Sequence, residues 1–246
     1  MRSKTPFFIA LLFISLPLQA ERINVAVASN FSPVMKQLIA LYEQQSEHQV
    51  TLISGSTGKL YAQILNGAPF DAFFAADSLR PQKLENKKHI VPASRFTYAI
   101  GKIVLWSPDA SLVDKQGQII QAMTFQHLAI ANPKLAPYGR AAQQVIESKG
   151  VWKQLQSKIV RGENIGHTYH FVKSGNAALG FIALSQIKAD KTINQGSYWL
   201  APDTLYDPIE QQAVQLSNTV AASDFFGFVQ TQAAEQVIRD FGYDVR

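Results

Sequence analysis

Ile23-Asn-Val-Ala-Val-Ala-Ser-Asn-Phe-Ser-Pro-Val-Met35 turns from an apolar strand directly into the opening of a helix. Residues 23–28 are short and apolar, the composition of a buried strand. Ser32 then stands as a capping hydroxyl ahead of proline at the first helical position, and Val34, Leu38, Leu41 and Tyr42 fall on one helical face. The same change recurs along the chain. Residues 49–54 read as strand and 57–65 as helix; 72–75 read as strand, followed by a helix over 79–86. Residues 98–106 are strand-like, 128–131 form a short buried strand, 138–149 and 164–174 are helical, 179–183 are an apolar strand, and 211–216 alternate as a half-buried strand. An amphipathic helix over 221–241 carries a break near 228–232. Strands alternating with helices predict an α/β fold whose parallel or mixed sheets are covered on both faces.

Outside this pattern stand the first twenty residues. Arg2 and Lys4 precede an apolar run over 7–16, then Pro17, and Ala20 ends the segment before Glu21. That is the layout of a secretory signal occupying residues 1–20, and its apolar run is too short to span a bilayer. The 246 residues contain no cysteine, so no disulfide staples an exported chain and its core must hold it together. With no lipid-accepting cysteine behind the signal, the expected location is the periplasm, as a free protein. Without residues 1–20 the chain carries 21 basic and 18 acidic residues, a net charge of +3. So mild a surplus assists attraction of anions to a cleft and argues against nucleic acid as a partner.

Three segments place small polar residues just after a strand, where a helix begins. Helix starts present unpaired N–H groups and the positive end of the dipole, so they hold anions. The first offers Ser29 and Asn30 before Phe31-Ser-Pro, although helix capping alone also accounts for them. The second, Ser54-Gly-Ser-Thr-Gly-Lys-Leu60, contains Gly58-Lys59 but fails as a phosphate loop. Ile53 stands where the first glycine belongs, and Leu60 where serine or threonine belongs. What remains is a donor-rich turn built on Ser56, Thr57 and backbone N–H groups. The third, Asn132-Pro-Lys-Leu-Ala-Pro-Tyr-Gly-Arg140, leads Tyr138 into a helix, with Arg140 read as a solvated helix residue.

In that order these segments resemble the periplasmic molybdate-binding proteins of ABC transporters. The marks are Ala28-Ser-Asn30, Gly55-Ser-Thr-Gly-Lys59, Asn66-Gly-Ala-Pro-Phe-Asp-Ala-Phe-Phe-Ala-Ala-Asp77, Ala131-Asn-Pro133 with Pro137-Tyr-Gly139, and Ala178-Leu-Gly-Phe-Ile182. The resemblance implies a two-lobed type II periplasmic-binding-protein fold with mixed sheets flanked by helices and a ligand cleft between the lobes. Residues 21–98 and 207–246 would form the first lobe and 99–206 the second. It implies molybdate or tungstate as ligand, no cofactor, a membrane permease as partner, and a monomer whose lobes close on the ion. Carried over by position, the oxyanion-binding set is Asn30 with Ser29, Ser56, Thr57, the Ala76 N–H, Tyr138 and the Ile165 N–H. Asp71 and Asp77 would hold loops. In one departure, Ala183 stands where many relatives carry a ligand tyrosine, and Tyr138 stands where they carry a small residue. Sulfate on the same fold is therefore the alternative ligand.

A dianion without a proton suits a pocket made of donors alone, whereas a protonated phosphate wants an acceptor aimed at it. Sulfate, with its shorter bonds, would be excluded by donors spaced for the larger ion. An exported enzyme is the remote alternative. The sequence holds no cysteine nucleophile, G-x-S-x-G elbow or H-E-x-x-H, and His167 and His170 lack an evident third ligand for a metal.

Overall fold

The computed structural model describes residues 20–189 and 196–245; apart from Ala20, the expected signal segment lies outside them. Ten strands form two five-stranded sheets. The first has the order β2-β1-β3-β10-β4, from β1 (Arg22–Ala28), β2 (Gln49–Gly55), β3 (Ala72–Phe74), β4 (Phe96–Gly101) and β10 (Ile209–Gln215). The second has the order β7-β6-β8-β5-β9, from β5 (Ile103–Ser107), β6 (Leu128–Ala131), β7 (Ile159–Gly162), β8 (Leu179–Ala183) and β9 (Ser197–Leu200). Both are mixed. β1 runs parallel to β2 and β3, with β10 antiparallel to β3 and β4. β6 runs parallel to β7 and β8, with β5 antiparallel to β8 and β9.

Side chains alternate faces along a strand, and both faces here are covered. In the first sheet Val25 and Val27 pack into a cluster with Phe31, Phe74 and Phe225. Ala26 faces the other way, with Phe73, Leu60 and Leu84. In the second sheet Ile103 and Leu105 of β5 join Ile130 and Phe181, while Val104 and Trp106 join Val172 and Ile182. Two-sided cover explains why β5, β6 and β8 read as unbroken apolar runs.

The helices are α1 (Ser32–Tyr42), α2 (Thr57–Leu65), α3 (Leu79–Asn86), α4 (Ile119–Ala122), α5 (Pro137–Ser148), α6 (Trp152–Leu155), α7 (Ile165–Lys173), α8 (Leu184–Ala189), α9 (Val220–Phe228) and α10 (Gln232–Asp240). None of the described helices is long and apolar enough to cross a membrane. The break expected in the C-terminal helix near 228–232 separates α9 from α10, which Thr231 caps by accepting from the Ala234 N–H at 3.3 Å. Two sequence expectations need correction. The single strand over 98–106 is two, β4 and β5, because the chain leaves one sheet for the other at Lys102. Ser32 lies inside α1 rather than capping it, its hydroxyl paired with that of Ser54 at 2.7 Å. The sequence reading missed β7 and β9, which are four residues each and partly exposed.

Candidate functional site

β1 delivers the first segment. Beyond Ala28 the chain turns tightly, with the Ser29 N–H donating to Gly55 O and the Phe31 N–H to Ala28 O. Phe31 anchors the turn, fully buried and edge-on to Tyr98 and Tyr243 with ring centroids 4.6 and 5.5 Å away. Asn30 is thereby held inside. Its Nδ2 donates to Gln211 Oε1 at 2.7 Å and to Tyr243 Oη at 3.0 Å. Its carbonyl accepts from Ser185 Oγ at 3.0 Å, and Ser185 Oγ in turn accepts from Tyr243 Oη at 2.9 Å.

The second segment is the start of α2. Ser56 has the extended backbone of an N-cap, yet its buried hydroxyl has no hydrogen-bond partner. Thr57 Oγ1 accepts the Ala76 N–H at 3.1 Å, tying this turn to the end of β3 and engaging the Ala76 donor internally. The Gly58 N–H reaches Leu135 O at 2.9 Å, ahead of α5. Tyr138 enters from α5, 1% exposed, and its hydroxyl makes no hydrogen bond of regular geometry, approaching only the Tyr243 hydroxyl. Two glycines make this entry possible. A Cβ on Gly139 would lie 2.2 Å from Ala131 O, so only glycine lets α5 seat on the end of β6. A Cβ on Gly101 would lie 2.1 Å from Tyr138 Oη, so glycine there leaves room for the phenol.

The last donor comes from α7. Asn164 caps it by accepting the His167 N–H at 3.0 Å, which leaves Ile165 as its buried first residue. The Gly166 N–H donates to Ser29 Oγ at 3.2 Å, joining the two sheets' turns. Gln186 braces this corner, donating from Nε2 to Ile165 O at 3.1 Å and accepting the Ala183 N–H at 2.9 Å.

At the rim, Lys59 pairs with Glu163 at 2.8 Å, and Arg80 donates to Lys134 O at 3.3 Å. Asn30, Ser56, Thr57, Ala76, Tyr138 and Ile165 are thus gathered and buried where the two sheets meet, while Ser29 lies half-buried at the edge. Ala28, Ala76, Ala136, Tyr138, Ile165 and Ala183 share one apolar cluster, so hydrogen bonds made among them act in a low local dielectric. The carboxylates of this region are engaged elsewhere. Asp77 is paired with Arg80 and caps α3 through the Arg80 N–H. Asp71 accepts from the Asn24 N–H and Ser217 Oγ. Arg140, exposed, pairs with Asp207 at 3.1 Å. His167 and His170 are exposed, and among the described residues no three His, Cys, Asp or Glu side chains are grouped to hold a metal.

Burial pushes the Tyr98, Tyr138 and Tyr243 phenols above their ordinary range, with neighbouring phenols adding to the shift for Tyr98 and Tyr138. All three remain donors at neutral pH. The unfolded chain releases these protons above about pH 10 while the folded protein keeps them, so stability present below that pH is lost as pH rises. For each such tyrosine the slope is about 1.4 kcal/mol per pH unit. Urea melts between pH 9 and 11 should show a midpoint falling steeply above pH 10; a flat profile would contradict these buried phenols.

The family model described as bacterial extracellular solute-binding protein matches residues 23–244. The molybdate-binding protein ModA of Azotobacter vinelandii is 45% identical over 93% of this chain and 92% of its own length. That of Rhodobacter capsulatus is 42% identical over 94% and 91%. The solved structure of the Azotobacter vinelandii periplasmic molybdate-binding protein superposes with a TM-score of 0.87 at 41% identity, covering 91% of this chain and 99% of that one.

Proposed function

The chain belongs to the bacterial extracellular solute-binding protein family, and from that premise we propose that it captures molybdate in the periplasm and delivers it to the membrane permease of an ABC importer. The fold is the type II periplasmic-binding-protein fold of that family, and the activity is binding rather than catalysis. Tungstate is carried as well, because it matches molybdate in charge and nearly in size. The observation that carries the reading is a pair of buried hydroxyls without acceptors. Ser56 Oγ stands at the head of α2 and Tyr138 Oη in the first turn of α5, both buried and without a hydrogen bond of regular geometry. Buried donors normally have partners, and a dianion supplies acceptors for several at once.

The lobes in this reading are residues 21–101 with 207–246, and 102–206, the first lobe running three residues past the boundary expected from the sequence because β4 stays paired with β10 through Gly101. The protein acts as a monomer that is exported by cleavage of residues 1–20. Closure traps the ion because the closed state binds it better, and the Lys59–Glu163 and Gly166–Ser29 contacts belong to that state. Selectivity follows from the want of a carboxylate aimed at the site, since Asp71 and Asp77 are engaged by protein donors, while Gln211 Oε1 and Asn30 O are occupied as well. Calorimetric titration of the mature protein with molybdate, tungstate, sulfate and phosphate tests this reading. One-to-one binding of the first two with the others silent is expected. Silence toward molybdate together with binding of sulfate would transfer the role to the smaller ion.

A further inference from the structure

Among the described residues, four buried side-chain polar atoms have no hydrogen-bond partner: Ser56 Oγ, Tyr138 Oη, Gln211 Nε2 and Trp106 Nε1. Trp106 stands apart, in β5 beside Gly196. Of the other three, Tyr138 and Gln211 flank Gly101 at the end of β4, and Ser56 heads α2. Ser56 and Tyr138 belong to the anion site already described; Gln211 does not. It lies on β10 and is fully buried. The two ends of its amide do different things. Oε1 accepts from Asn30 Nδ2 at 2.7 Å and lies 3.2 Å from Tyr98 Oη, whose one proton is shared with Ala75 O at 3.1 Å, so the amide is fixed in direction. With Oε1 so held, Nε2 is turned away from Asn30, near the Tyr243 hydroxyl but without a hydrogen bond of regular geometry. That side is where Tyr138 arrives: the point 2.1 Å from Tyr138 Oη, at which a Gly101 side chain would begin, is 2.9 Å from Gln211 Nε2.

Asn30, by contrast, has both Nδ2 hydrogens engaged by Gln211 and Tyr243. We propose that Gln211 is a specificity-determining residue of the oxyanion site, its Nε2 donating to the bound dianion beside Tyr138 Oη while its Oε1 fixes Asn30. The inference rests on the capture function proposed above. It explains why a fully buried amide is left half-satisfied, a costly state unless something accepts from it. It also makes Gln211 a selector. An amide nitrogen can only donate, so this position reinforces discrimination against a ligand that must itself donate a proton.

Gln211→Glu separates the two ends of the side chain: it preserves an acceptor for Asn30 and Tyr98 and replaces the donor with a carboxylate oxygen. Gln211→Met removes both ends at similar volume and without charge. Titrations with molybdate at pH 8 should show the glutamate variant weakened about a hundredfold and the methionine variant about tenfold, the range expected for a lost hydrogen bond to a charged acceptor. At pH 6 the glutamate variant should recover most of its loss, because a carboxyl shielded from water takes a proton and donates again. The groups packed around it, Tyr98, Tyr138, Tyr243 and Asn30, do not titrate in that interval, so the wild type should be level. Wild-type affinity in both variants at pH 8, or a glutamate deficit unchanged at pH 6, overturns the inference while leaving capture standing. A wild-type protein silent to molybdate overturns the capture function itself, and this role of Gln211 with it. Should the glutamate variant not fold, the methionine variant decides alone.

Discussion

Ser56→Asp should abolish molybdate binding and leave the protein folded. Serine and aspartate are equally good N-caps, and a carboxylate at the head of α2 interacts favourably with the helix dipole. Ser56 makes no hydrogen bond that the change would break. Toward a dianion the effect reverses. Two unit charges about 4 Å apart repel by about 4 kcal/mol at an effective dielectric of 20, and the second charge of the ion adds to it. Protonation of the aspartate limits the penalty, so the expected loss is at least about a thousandfold at pH 8. Calorimetry reads the affinity, and a melt without ligand reads the fold. A variant that melts as wild type and still binds tightly would place the ion away from the start of α2.

Tyr138→Phe tests the opposite lobe. The ring is fully buried among Ala141, Ala142 and Ile209 and keeps its packing in phenylalanine. The hydroxyl removed makes no protein hydrogen bond of regular geometry, only an approach to the Tyr243 hydroxyl, so the ligand-free protein should melt close to the wild-type temperature, a change within about 1 kcal/mol. Affinity for molybdate should nevertheless fall by about tenfold to a hundredfold, because a hydrogen bond to a charged acceptor is lost. Unchanged affinity would mean that the phenol only fills space beside Gly101. The unusual signature is a buried-group deletion that costs binding without costing stability.

These two residues differ in how they can be read from the chain. Ser56 is visible locally, because a serine between a strand and a helix advertises its role through spacing. Tyr138 announces a helix start by the proline before it, but its role is legible only through the family resemblance and the exchange with Ala183. Gln211, Ser185 and Tyr243 gave no local signal. Their bonds to Asn30 span 181, 155 and 213 residues, and only the crossing of chain segments between lobes brings them together. Gln211 is further disguised by its strand. Because β10 is buried on both faces, the alternation that suggested an exposed polar side was misleading. A glutamine there reads as solvated when it is sealed in. The join of β4 and β5 fails for a related reason. Apolar patterning records burial, and burial continues across Lys102 while the hydrogen-bonding partners change sheet. The α/β class, by contrast, follows from patterns within single elements, which short-range periodicity records well.

One oxyanion should sit among donors from both lobes, out of contact with any carboxylate. Crystals grown with tungstate and measured at the tungsten edge would locate the ion directly. A single anomalous peak per molecule is expected at the lobe junction, within hydrogen-bond distance of Ser56 Oγ and Tyr138 Oη. A peak beside His167 and His170, or beside Arg140 on the surface, with the junction empty, would contradict it.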